Sequence, residues 1–323
     1  MGMTLGIRVF IIALTISLSS SAWARPNPIA WSNFDWDDNL FYMPTKTVLF
    51  EKGTGIERHI STGEYAKIRE QIGVSGEWEK YEIRKYGKDG SFRFVTESPS
   101  RNYFLEDIRK ALRSDKDAWQ GPNWKAFVQA LQKESSARTV SIITARGHSP
   151  NEVYEGLQYL QKKGHIKHLP LKENLFPVGE TANPTQSKII VMRKILENLQ
   201  NTPIPHDIPE SLDGTKVPRK IHLWSFSDDD WKTFKIAVDE LSKDVKEGKY
   251  PNVKISLFYT GSTPHPEFPP ALVLTPEGGV RPFTKAETLE TLPAILRMRF
   301  LANKRSKRPC PEMYHFFFRM FQD

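Results

Sequence analysis

The chain has 323 residues, with 46 Lys and Arg against 38 Asp and Glu and a formal net charge of +8. Its 39% hydrophobic and 26% charged residues, with 8 Trp, 10 Tyr and 19 Phe, supply a sizeable core and exclude a disordered chain. A single cysteine, Cys310, excludes an intramolecular disulfide framework and any multi-cysteine zinc or iron–sulfur site, and the single long apolar stretch excludes a multi-span membrane protein.

That stretch, Val9 to Leu18, follows Arg8 and is followed by Ser19 to Ser21 and Ala22-Trp23-Ala24. A positive start, a short apolar region and a small-x-small site define a secretory signal peptide, cleaved after Ala24. The apolar region is about half the roughly 20 residues a membrane span needs. Residues 1–24 are therefore expected to direct export, to the periplasm or outside the cell.

Pro28 to Phe34 is a short apolar run that ends in Asp35, Asp37 and Asp38. Residues 41–124 carry mixed signals. Glu64 to Ile72, Tyr103 to Leu112 and Trp124 to Gln132 read as helices. Tyr81 to Tyr86 and Ser91 to Val95 flank Gly87-Lys88-Asp89-Gly90, which predicts a β-hairpin. From Thr139 the pattern is regular. Strands are expected at Thr139–Ile143, within His168–Val178, at Lys220–Phe226 and at Val253–Tyr259. Helices are expected at Pro150–Lys163, Ser187–Leu199 and Trp231–Val245. Thr202 to Pro218 holds Pro203, Pro205, Pro209 and Pro218 and reads as a loop. Strand–helix alternation of this kind predicts an α/β fold, a parallel sheet with helices on both faces. The tail from residue 297 is basic (Arg297, Arg299, Lys304, Arg305, Lys307, Arg308) and then aromatic.

Two acidic clusters each follow a predicted strand, Asp35-Trp36-Asp37-Asp38 and Asp228-Asp229-Asp230. In a doubly wound sheet, ligands bind beyond the carboxyl ends of the strands. Carboxylates crowded at one rim call for a cation, and oxygen donors favour Mg²⁺. Thr144 ends the 139–143 strand, and Lys188 opens the 187–199 helix. Together these residues suit phosphoryl transfer. Asp35 would attack phosphorus, and Asp37 would serve as acid and then base. Thr144 and Lys188 would hold the equatorial oxygens.

The order of these four motifs resembles the haloacid dehalogenase-like (HAD) hydrolase superfamily. Phe34-Asp35-Trp36-Asp37-Asp38-Asn39 is similar to its first motif, Ile142-Ile143-Thr144 to its second, Lys188 to its third and Ser227-Asp228-Asp229-Asp230 to its fourth. Asn39 stands where the family has Thr, and Lys194 is an alternative to Lys188. The resemblance implies a Rossmann-like core from 25–40 and 125–296, an inserted α+β cap at 41–124, and a Mg²⁺-dependent phosphatase of secreted type. It implies Asp35, Asp37 (through its backbone carbonyl), Asp228 and Asp229 as metal ligands. The expected partner is a small phosphorylated substrate, with no nucleic acid. Two other readings stand beside it. One is a catalytically silent HAD-like binding protein. The other is a basic surface-binding protein that uses 297–323 against anionic surfaces.

Overall fold

The computed structural model describes residues 28–84, 89–114, 118–133, 135, 138–181, 183–204, 221–262 and 266–284. The expected signal peptide, most of the proline-rich stretch and the basic tail lie outside the described residues. No helix among the described residues is long and apolar enough to cross a membrane.

The central element is β1 (Ala30–Phe34). On one side it pairs in parallel with β5 (Arg138–Thr144), which pairs in parallel with β6 (Leu175–Pro177). On the other side it pairs in parallel with β7 (His222–Asp228), which pairs in parallel with β8 (Val253–Tyr259). Two antiparallel strands that sequence periodicity did not reveal, β9 (Ala271–Leu274) and β10 (Val280–Pro282), extend that edge. The spatial order is β10-β9-β8-β7-β1-β5-β6. The chain thus leaves β1 in one direction and returns to fill the other. Such a reversal opens a crevice at the carboxyl ends of the central strands.

Helices cover both faces, as an α/β sheet requires. On one face, α5 (Pro184–Asn201) and α6 (Trp231–Lys246) pack Ile189, Met192, Leu196, Phe234, Val238 and Leu241 onto Ile143, Trp224, Phe226, Ile255 and Leu257. On the other, α4 (Pro150–Lys162) joins α2 (Tyr103–Ala111) and α3 (Trp124–Gln132) over Phe34, Val140 and Ile142. Each large apolar side chain buried this way contributes about 1.5–3 kcal/mol. The start of α4 is fixed by a capping box between Ser149 and Glu152, with Pro150 in the first turn. Gly156 lets α4 approach α2, because a Cβ there would lie 2.5 Å from the Phe104 ring.

The 41–124 insertion is divided in its packing. Its first part forms a separate antiparallel sheet, β3-β2-β4 (Glu57–Ser61, Lys46–Glu51, Tyr81–Glu82), with α1 (Thr62–Ile68) and its own small apolar cluster around Leu49, Ile60, Trp78 and Tyr81. The part from Phe104 to Trp124 instead packs into the same cluster as β1 and β5. The expected hairpin is corrected. Tyr81–Glu82 pairs with β2, and residues 91–95 form turns, with Ser91 accepting from the Val48 backbone N–H at 2.9 Å. Residues 85–88 lie outside the described residues. Several hydrogen bonds tie this part of the insertion to the core. Arg69 meets the Asp230 carboxylate through both terminal nitrogens at 3.1–3.2 Å. The Val95 and Glu97 backbones bond to Gly147 at 2.7 and 3.0 Å.

Candidate active site

β1 delivers Asp35 to the sheet's carboxyl rim. The Asp35 N–H donates to the Ser227 carbonyl at 2.9 Å, so β1 and β7 end side by side and Asp35 lies next to Asp228. Lys188 comes from the second turn of α5, whose start is set by the Asn183 side chain accepting from the Gln186 N–H and by Pro184 in the first turn. Lys188 sits one helical turn before Met192, on the apolar stripe that also carries Leu196 and Leu199. Helical spacing therefore forces the ammonium into the core side of the helix. It donates to Asp35 Oδ1 at 2.7 Å and to Asp228 Oδ2 at 2.8 Å. Lys188 is 3% exposed, Asp35 5% and Asp228 0%. Lys194 is exposed and takes no part.

Asp35, Asp228 and Asp229 each bring one carboxylate oxygen within 4.8 Å of the others. Three carboxylates face a single buried ammonium. Burial, then the neighbouring carboxylates, hold Asp35 and Asp229 well above the usual carboxylate range, against the pull of Lys188. Burial also lifts Asp228, opposed by Lys188. For Lys188, burial acts downward, but Asp228 and Asp35 outweigh it and keep the amine charged. With all three carboxylates ionised, the cluster would carry two negative charges beyond the Lys188 ammonium. Three hard oxygen donors in that ionised state fit a divalent cation such as Mg²⁺.

Asp37 is not in this triad. Its carboxylate is gripped by Arg146, with Nε to Oδ2 at 2.8 Å and Nη2 to Oδ1 at 2.6 Å. Its backbone carbonyl accepts from the Asn39 N–H at 2.6 Å. Arg146 is 1% exposed and also donates to Thr45 Oγ1 at 2.7 Å, and that hydroxyl bonds to Asp107 on α2. Arg146 was not among the expected site residues. Its place two residues beyond a strand that ends at the rim was the available signal. Thr144 is buried at the end of β5, and its hydroxyl accepts from the Arg146 N–H at 3.3 Å. His148 is buried with its ring edge-on to Phe104. Burial, reinforced by Arg146, pulls its pKa down to about 2, so it is the neutral imidazole, with a single ring N–H, at physiological pH.

Asp38 is the sole non-glycine residue with positive φ among the described residues, at 54°. Burial, then Asp37, raise its pKa to about 6. A raised carboxylate costs stability once it is ionised, so the cost is absent below the ordinary carboxylate range and complete above about pH 6. Asn tolerates the same left-handed backbone. Asp38→Asn is expected to stabilise the metal-free protein by about 1–2 kcal/mol at neutral pH, and this gain disappears in acid. Paired urea titrations across pH check it, and a gain independent of pH would contradict it.

No known family's sequence profile matches the chain, and no curated protein matches its sequence. Among solved structures it is similar to the HAD domain of the effector protein Lem4 from Legionella pneumophila. The identity is 12%, over 73% of this chain and 90% of that one, with a TM-score of 0.32.

Proposed function

We propose that the protein is an exported, Mg²⁺-dependent phosphatase that hydrolyses a small phosphomonoester through an aspartyl-phosphate. The observation that carries this reading is the meeting of Asp35, Asp228 and Asp229 around Lys188 at the crevice between β1 and β7. The N-terminal pattern of residues 1–24 supports export.

Asp35, Asp228 and Asp229 would hold the Mg²⁺, which when bound screens the anionic nucleophile from the anionic phosphate. Lys188 bridges Asp35 and Asp228 and fixes the direction of the Asp35 carboxylate. In the first step an Asp35 oxygen attacks phosphorus, the phosphorus–ester oxygen bond breaks, and Asp37 gives the leaving oxygen a proton. In the second step water attacks phosphorus, Asp37 takes its proton, and inorganic phosphate leaves with Asp35 regenerated. Both Asp37 oxygens accept from Arg146, so Asp37 would have to turn one oxygen away from the guanidinium to carry the proton it gives in the first step. Thr144 offers a hydroxyl to the equatorial oxygens as charge builds. The small β3-β2-β4 sheet, whose neighbouring helix α1 is followed by Arg69 bonded to Asp230, would serve as the cap that limits substrate size.

The test is hydrolysis of an aryl phosphate by the purified protein, with Mg²⁺ and with EDTA. Turnover that requires Mg²⁺ is expected. Turnover indifferent to EDTA would contradict the metal's role. Mg²⁺ binding without turnover on any of a panel of phosphomonoesters would favour the silent-binding reading.

A further inference from the structure

Asn39 stands where the resemblance has Thr, and its surroundings are built for an amide. The side chain is 0% exposed. Its Nδ2 donates to the Asp35 carbonyl at 2.9 Å, to the Ser227 carbonyl at 3.2 Å and to Ser227 Oγ at 3.1 Å. Its Oδ1 accepts from Thr260 Oγ1 at 2.8 Å and from Asn123 Nδ2 at 3.2 Å. The orientation is forced, because two backbone carbonyls can only accept. A hydroxyl has one proton and serves one of those carbonyls, whereas an amide serves both and still has an acceptor for Thr260 and Asn123.

The partners of this amide are the residues that carry the site. Asp35 bears the nucleophile, Ser227 precedes Asp228, and the Thr260 N–H donates to the Asp228 carbonyl at 3.0 Å. The backbone around Asn39 is equally confined. Its carbonyl accepts from the Asn123 N–H at 3.0 Å, and a Cβ on Gly121 would lie 2.5 Å from that oxygen. The Asp38 backbone, with φ at 54°, turns the chain so that Asn39 points back at β1 and β7.

We propose that Asn39 is a positioning residue that sets the separation of Asp35 from Asp228, and with it the divalent-cation affinity of the Asp35–Asp228–Asp229 cluster. This rests on the phosphatase reading for the cation and on geometry alone for the separation. Asn39 touches no reacting atom and acts through the two strand ends.

Two readouts separate these parts. The first is Mg²⁺ affinity by calorimetry. The second is acylation of Lys188 by acetic anhydride, mapped by mass spectrometry, which needs neither metal nor turnover. Lys188 is shielded between Asp35 and Asp228 and is expected to resist the reagent in the parent protein. In Asn39→Thr, Mg²⁺ affinity is expected to fall about tenfold or more, as for other residues that orient metal ligands, and Lys188 labelling to rise several-fold. Thr260→Val removes one donor to the same amide and is expected to move both readouts the same way by less. It carries the test if Asn39→Thr does not melt cooperatively. A folded variant in which neither readout moves overturns the proposal. Raised labelling with no Mg²⁺ binding by the parent protein would uphold the positioning role and overturn the metal reading.

Discussion

Lys188→Met is expected to lower the free energy of unfolding by about 3–5 kcal/mol near neutral pH, the usual consequence of removing one partner from a buried ion pair. Methionine fills nearly the same volume, so the loss is one of charge rather than packing. The variant leaves Asp35 and Asp228 buried beside Asp229 with no cation among them. The penalty has a definite pH dependence. Asp35 and Asp229 already titrate above the usual range, and loss of the ammonium pushes them further up. A carboxylate raised in the folded state costs stability when ionised and nothing once both states are protonated. The deficit is therefore expected to be largest at neutral pH and to shrink as the pH falls through the carboxylate range. Added Mg²⁺ is expected to recover part of it. Urea titrations with EDTA and with Mg²⁺, at neutral and mildly acidic pH, measure all of this. A midpoint equal to that of the parent protein would mean that Lys188 does not hold the two strand ends together.

Asp35→Asn is expected to move activity and stability in opposite directions. Turnover should fall by about 10⁴ or more, because an amide cannot form the phosphoryl-enzyme bond. The metal-free protein should become more stable by about 1–2 kcal/mol, since one of three crowded carboxylates is gone while Asn Oδ1 still accepts from Lys188. The opposition is informative. A residue retained at a cost to the fold is retained for chemistry. Loss of activity together with loss of stability would instead make Asp35 a structural ion-pair partner.

Much of the core was legible because its strands and helices are long and periodic. Val253–Tyr259 alternates with the helix Trp231–Lys246, whose apolar positions recur at helical spacing. Asp35, Lys188 and Asp228 could be named because each stands at a strand end or a helix start, where an α/β sheet gathers functional groups. What stayed hidden depends on distant pairing. Lys46–Glu51 is a strand because Glu57–Ser61 and Tyr81–Glu82 flank it, and local alternation instead suggested a hairpin further along. The Arg146–Asp37 pair joins residues 109 positions apart, which no motif spacing announces. His148 lies in a loop whose Gly147 and Pro150 suggest exposure, yet its ring is covered by Phe104. Asn39 looked like a defect in a motif. Its value is visible only when Ser227 and Thr260 are brought against it.

The most direct test of the account is to trap the covalent intermediate. The protein is mixed with an aryl phosphate and Mg²⁺, quenched in acid during turnover, and its peptides are analysed by mass spectrometry. The account predicts one added phosphoryl group, located on Asp35 and absent from both the EDTA control and Asp35→Asn. Steady turnover with no phosphoryl group on the protein, or with the group on another residue, would contradict it.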